Sequence, residues 1–81
     1  MTITVHLFAA ARDLAGNSTT TVELPAGATV AVLRATLSNR YPALAQLLAR
    51  SAVAVNQEYA EDSVVLSPGD ELAVIPPVSG G

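Results

Sequence analysis

The sequence closes on Pro76-Pro77-Val78-Ser79-Gly80-Gly81, six residues with little side-chain chemistry and one distinctive use of the backbone. Pro76 and Pro77 have no backbone N–H, so they stop a sheet ladder and hold the chain beyond it extended. Gly80 and Gly81 lack Cβ, so their backbone can enter a channel that any side chain would block. A free α-carboxylate on Gly81 is ionised at neutral pH. In that form it is inert to nucleophiles. Once adenylated it becomes an acyl electrophile, with a carbonyl flanked only by glycine and open to attack. The pattern reads as an arm that presents its own C-terminus to another protein's active site. Terminal Gly-Gly also occurs in flexible ends and cloning linkers, and the dipeptide alone does not separate these readings. A stiff Pro-Pro directly after a strand favours presentation, because it projects the glycines away from the fold.

The remaining chemical inventory is sparse. The chain contains no GxxxxGK[ST], GxGxxG or HExxH pattern. Its one histidine, His6, shares a strand face with threonines. No acid–base partner stands at a recognisable spacing, so His6 reads as a surface residue rather than a base or ligand. Glu58, Glu61 and Asp62 in EYAED lack the spaced oxygen ligands of a calcium loop and read as a solvated loop. Asp70 and Glu71 are assigned to a turn. Ser63, Ser67 and Ser79 have no histidine at a triad-type spacing. The absence of cysteine excludes a disulfide, a thiolate metal site and a thiol nucleophile. No metal site is expected, and the four basic residues are all arginines: Arg12, Arg34, Arg40 and Arg50.

The elements that must carry the arm can be read from hydrophobic period. TITVHLFA alternates, with Ile3, Val5 and Leu7 on one face and Thr4, His6 and Phe8 on the other, as in a half-buried strand. AAARDLAG makes one or two helical turns closed by Gly16. STTTVEL is a second strand, with Thr20, Val22 and Leu24 on one face, and PAGA is a turn. Thr29 stands where a helix N-cap belongs. Val30, Leu33, Leu37 and Tyr41 then recur at helical spacing, with Arg34, Ser38 and Arg40 outward. Pro42 ends that helix at Tyr41 and opens a second, PALAQLLAR, whose Leu44, Leu47 and Leu48 face the core. AVAVN is a third strand reversed at NQE, DSVVL a short strand, SPGDE a type II turn, and ELAVIP a last strand apolar on both faces. That character places ELAVIP centrally, beside the first strand. The order is ββαββ with one strand short, an α+β sheet with the main helix packed on one face.

With 81 residues the chain is one domain, divided into a folded unit over 1–75 and a tail over 76–81. Its 51% hydrophobic content is alanine-rich and only 4% of the residues are aromatic, so the core is small-featured. A net charge of −3 argues against nucleic acid and anionic membrane as partners. The start has no basic segment followed by a continuous apolar run, and no stretch reaches the roughly 20 apolar residues of a membrane helix. A cytoplasmic protein is expected.

LFAAARDLAG near the start, AVN before the hairpin and GDELAVIPPVSGG at the end together resemble the small, sulfur-carrying subunit of molybdopterin synthase. The likeness spans the whole chain, and its most specific part is PPVSGG after a strand that follows GDE. The resemblance implies a ubiquitin-like β-grasp fold, in agreement with the element order. It also implies a two-protein mechanism with no cofactor bound to this chain. An activating enzyme uses ATP to adenylate the Gly81 carboxylate, and sulfur from a donor enzyme replaces the adenylate to give a thiocarboxylate. The loaded tail enters the large synthase subunit, in a heterotetramer, and passes sulfur to a cyclic pyranopterin to build the molybdopterin dithiolene. Catalytic side chains for that step belong to the partner. Gly81 would carry the sulfur, Gly80 would give access, and Pro76, Pro77, Val78 and Ser79 would line the channel, with Val78 as an apolar anchor. Phe8, Arg12 and Ile75 would contact partners, although an aromatic is frequent in the family near Ile75. Other β-grasp sulfur carriers for thiazole or cysteine synthesis, and protein modifiers, share the terminal Gly-Gly and remain alternatives.

Overall fold

The computed structural model describes residues 1–77. Alternation decides the first hairpin. Strand β1 (Thr2–Leu7) buries Ile3, Val5 and Leu7, and β2 (Thr19–Glu23) pairs with it antiparallel and buries Thr20 and Val22. Between them α1 (Ala9–Ala15) closes on Gly16, whose left-handed φ of 79° lets its N–H donate to the Arg12 carbonyl. Thr29 caps α2 (Val30–Arg40), its Oγ1 accepting from the Val32 N–H at 3.4 Å. Pro42 ends α2 at Tyr41, as the sequence predicts, and starts a 3-10 turn (Pro42–Leu44) that runs into α3 (Ala45–Arg50). All three helices contribute to one core cluster through Ala11, Val30, Leu33, Leu37 and Leu48. The helices therefore lie on one side of the sheet.

Strands β3 (Ala52–Val55), β4 (Glu58–Ala60) and β5 (Glu71–Ile75) complete a five-stranded sheet in the order β2-β1-β5-β3-β4. β5 is central, parallel to β1 and antiparallel to β3. This mixed α+β sheet with a crossing helix on one face is the ubiquitin-like β-grasp arrangement.

Three details differ from the sequence expectation. The strand expected at DSVVL lies earlier, at Glu58–Ala60, inside the stretch read as a solvated loop. Asn56 and Gln57 both adopt positive φ (49° and 72°), so a two-residue turn returns the chain at once and pairs Val55 with Glu58. Residues 61–66 serve the start of α2 instead: Val30 N–H donates to the Val64 carbonyl and Ala31 N–H to that of Asp62. Val65 keeps only an isolated bridge to Thr29. The second difference is Arg34, expected outward. Its side chain is only 21% exposed and ties α2 to Asp62 and to the Leu48 carbonyl. The third concerns β5: Leu72 and Val74 are fully buried, but Ala73 and Ile75 on the other face are only half-buried, because the helices all pack on the core side.

Candidate functional site

β5 ends at Ile75, and two prolines follow it, Pro76 half-buried and Pro77 exposed. Lacking N–H groups, they cannot prolong the ladder. Val78, Ser79, Gly80 and Gly81 lie outside the described residues. The root of the tail is the centre of the sheet, fixed by neighbours on both sides.

The parallel ladder between β1 and β5 ends at the pair Leu7–Val74, both buried. One step further along each strand, alternation places Phe8 and Ile75 on the sheet face that no helix covers. Phe8 is extended, 49% exposed, and immediately precedes α1. Ala9 then takes a φ of 49°, a costly conformation for a residue with a Cβ, and turns the chain off the sheet into the helix. Arg12, on α1, is exposed and stands 3.7 Å from Asp13, a surface pair of small energetic worth. Phe8 and Ile75 therefore share the end of the sheet from which the tail leaves, while Arg12 sits on the helix that follows Phe8.

The uncovered face has a distinct relief. One row across it reads Thr19, His6, Ala73, Ala54, Tyr59, each residue paired with the next. Two alanines thus form a low stretch between His6 and Tyr59, which is 76% exposed at the sheet edge. On the Ala73 side of this row opens a cavity of about 340 Å³ bordered by His6, Phe8, Ala73, Glu71, Asn56 and Gln57. Asn56 is a fixed wall: its Oδ1 accepts from the Glu71 N–H at 3.0 Å and its Nδ2 donates to Asp70 Oδ1 at 2.9 Å. Asp70 serves the Ser67–Asp70 turn, as expected, with Oδ2 accepting from the Ser67 N–H at 2.8 Å. Glu71 departs from the expectation, because it opens β5 and borders the cavity, and its backbone bonds are to Asn56. The alternating alanines of AVAV and ELAVI carry the signal for this low stretch, though a pattern search for catalytic residues passes over them.

His6 is half-buried on this face and belongs to the cavity wall. Among the described residues no group of three or more His, Cys, Asp or Glu is placed to hold a metal ion. Asp62 is engaged by Arg34 Nε at 2.8 Å. No helix among the described residues is long and apolar enough to cross a membrane.

Comparison with known proteins gives a consistent picture. The model of the ThiS family matches residues 5–81. The molybdopterin synthase sulfur carrier subunit of Arabidopsis thaliana is 40% identical over 79 residues, covering 98% of this chain and 82% of the relative. That of Chlamydomonas reinhardtii is 42% identical over 83 residues and covers both chains fully. Among solved structures, SAMP1 from Haloferax volcanii superposes with a TM-score of 0.90 at 32% identity, covering 100% of each chain. SAMP1 is a small archaeal modifier protein.

Proposed function

The chain belongs to the ThiS family, and from that premise we propose that it is the sulfur-carrier subunit of molybdopterin synthase. The observation that carries this reading is the match of at least 40% identity across 98% or more of the chain to relatives bearing that name. In this reading a Gly81 carboxylate oxygen attacks the α-phosphorus of ATP in an activating enzyme, giving the acyl-adenylate and releasing pyrophosphate. A sulfur nucleophile delivered by a donor enzyme then displaces AMP and leaves a thiocarboxylate. Pro76 and Pro77 stop the sheet and aim the arm. Val78 and Ser79 bridge, and Gly80 keeps the channel path free of side chains. The large subunit takes up the loaded tail and supplies the catalytic side chains, and the sulfur passes to cyclic pyranopterin monophosphate. Phe8, Arg12 and Ile75, near the tail's root, contact the partners.

The test is direct. The chain is incubated with the cognate activating enzyme, ATP and a sulfur source, and its intact mass is measured. One oxygen should be replaced by sulfur, with tandem fragmentation mapping the change to Gly81. An unchanged mass with an enzyme of verified activity rejects the carrier role. Adding the large subunit and the pyranopterin precursor should then yield the dithiolene.

The fold likeness to an archaeal modifier supports a second reading, attachment of the Gly81 acyl group to lysines of other proteins. The two readings separate by product: conjugates resistant to thiols and hydroxylamine favour the modifier, dithiolene the carrier. Because the chain has no lysine, polymers linked through its own lysine side chains are excluded in either case.

A further inference from the structure

We propose that the cavity on the uncovered sheet face is a docking site for an arginine side chain of a partner protein, with Glu71 as its counter-ion and Phe8 as its stacking surface. Four features support this. The floor is low at Ala73, so an incoming side chain meets the sheet closely. The walls are unlike each other: the aromatic residue Phe8, 49% exposed, and the polar residues Asn56, Gln57 and Glu71. Glu71 is held by backbone bonds in both directions, its N–H to Asn56 Oδ1 at 3.0 Å and its carbonyl accepting from the Asn56 N–H at 2.8 Å. Its backbone is therefore fixed at the cavity edge, and its carboxylate is in none of the ion pairs among the described residues.

The charge balance selects the occupant. Among the described residues Glu71 is the one acidic group bordering the cavity, and no arginine borders it. Among the chain's own cations Arg34 is bonded to Asp62 and Leu48 and Arg40 to the Thr21 carbonyl, and neither Arg12 nor Arg50 borders the cavity. An apolar stem over Ala73 and a planar cation between Phe8 and Glu71 match these walls. Guanidinium suits them better than ammonium, because it stacks on a ring and bonds a carboxylate through a planar fork. Phe8 also joins this cavity to the tail's root, so the site lies on the surface that a protein receiving the tail must approach. Only the partner's identity rests on the sulfur-carrier reading; the cavity's preference for a guanidinium does not.

The ¹⁵N-labelled full chain is titrated with Nα-acetyl-arginine methylamide and, separately, with the neutral isostere Nα-acetyl-citrulline methylamide. Amide shifts are expected at Phe8, Gln57 and Glu71 through Ala73 with arginine, and much smaller ones with citrulline. Glu71→Gln should weaken the arginine response about tenfold, the usual scale for losing a charge-assisted bond. With the large synthase subunit, Glu71→Gln should lower affinity by a similar factor, more at low salt than at high. Equal responses to both ligands overturn the proposal, as does an unchanged response in Glu71→Gln. The same residues shifting with protein concentration alone would also overturn it, by identifying a second copy as the occupant. A chain that binds arginine here yet forms no thiocarboxylate loses the sulfur-carrier function and keeps the site. A chain that accepts sulfur without binding arginine does the reverse.

Discussion

Arg34 is the residue whose role depends most on tertiary structure. Its Nε lies 2.8 Å from Asp62 Oδ1 and its guanidinium also donates to the Leu48 carbonyl, so one side chain ties α2 to the 61–66 loop and to α3. Asp62 is 60% exposed, which leaves its half of the pair screened and worth little. The bond to the Leu48 carbonyl, in a part-buried setting, has no such screening, and its loss leaves an acceptor without a partner. Arg34→Met should therefore destabilise the fold by about 1–2 kcal/mol, and Asp62→Asn by about 0.5 kcal/mol or less. Urea midpoints at constant slope measure both. Equal losses would place the energy in the ion pair instead. None of this is legible locally, because helical spacing puts position 34 beside the outward face and the partners lie 28 and 14 residues away in sequence. Thr29 is the opposite case. Its capping role depends only on residues three positions apart, and the sequence alone places it.

At the level of elements, the sheet was readable where period and termination agreed. β1 and β2 alternate and β5 is continuously apolar, each with a clear stop, and the place of β5 beside β1 follows from its lack of polar positions. β4 was not readable, because VVL has stronger strand character than EYA. The deciding factor was the turn. Two successive residues with positive φ match the right-handed twist of adjoining strands, so pairing begins immediately after Gln57. Intrinsic preference in VVL lost to hairpin geometry and to the donors at the start of α2 that needed the Val64 and Asp62 carbonyls. Gln57 is a poor residue for a φ of 72°, and glycine would hold that angle without a Cβ penalty. Gln57→Gly should raise stability by about 0.5–1 kcal/mol, and Gln57→Val should lower it. The thermal midpoint reports the sign. A stabilised valine variant would mean that the turn is not the device that sets the β3–β4 register.

For the whole molecule, the division between a body and an arm has a measurable consequence. Among the described residues the core cluster runs from Ile3 to Val74, so the buried side chains it contains precede Pro76. The sheet also ends at Ile75, before two residues that cannot donate to a ladder. The energy of the fold and the proposed chemistry of the chain thus sit in separate stretches of sequence, apart from Phe8 and Ile75 at their boundary. Gly81 has no side chain to contribute to a core, so in its deletion the thermal midpoint and affinity for the large subunit should stay close to those of the full chain. Thiocarboxylate formation mapped to Gly81 and the yield of dithiolene should both be lost, because Gly80 would present its carboxylate one residue short of the reacting position. That shift is roughly 3.3–3.6 Å of extended chain, and a misplacement of even about 1 Å can cost a hundredfold in rate. Retained turnover in the deletion would show that delivery does not depend on the reach of the tail, and the arm would then be an ordinary chain end. A lowered midpoint would instead show that the terminal residue contributes to the fold, and the separation of body from arm would fail.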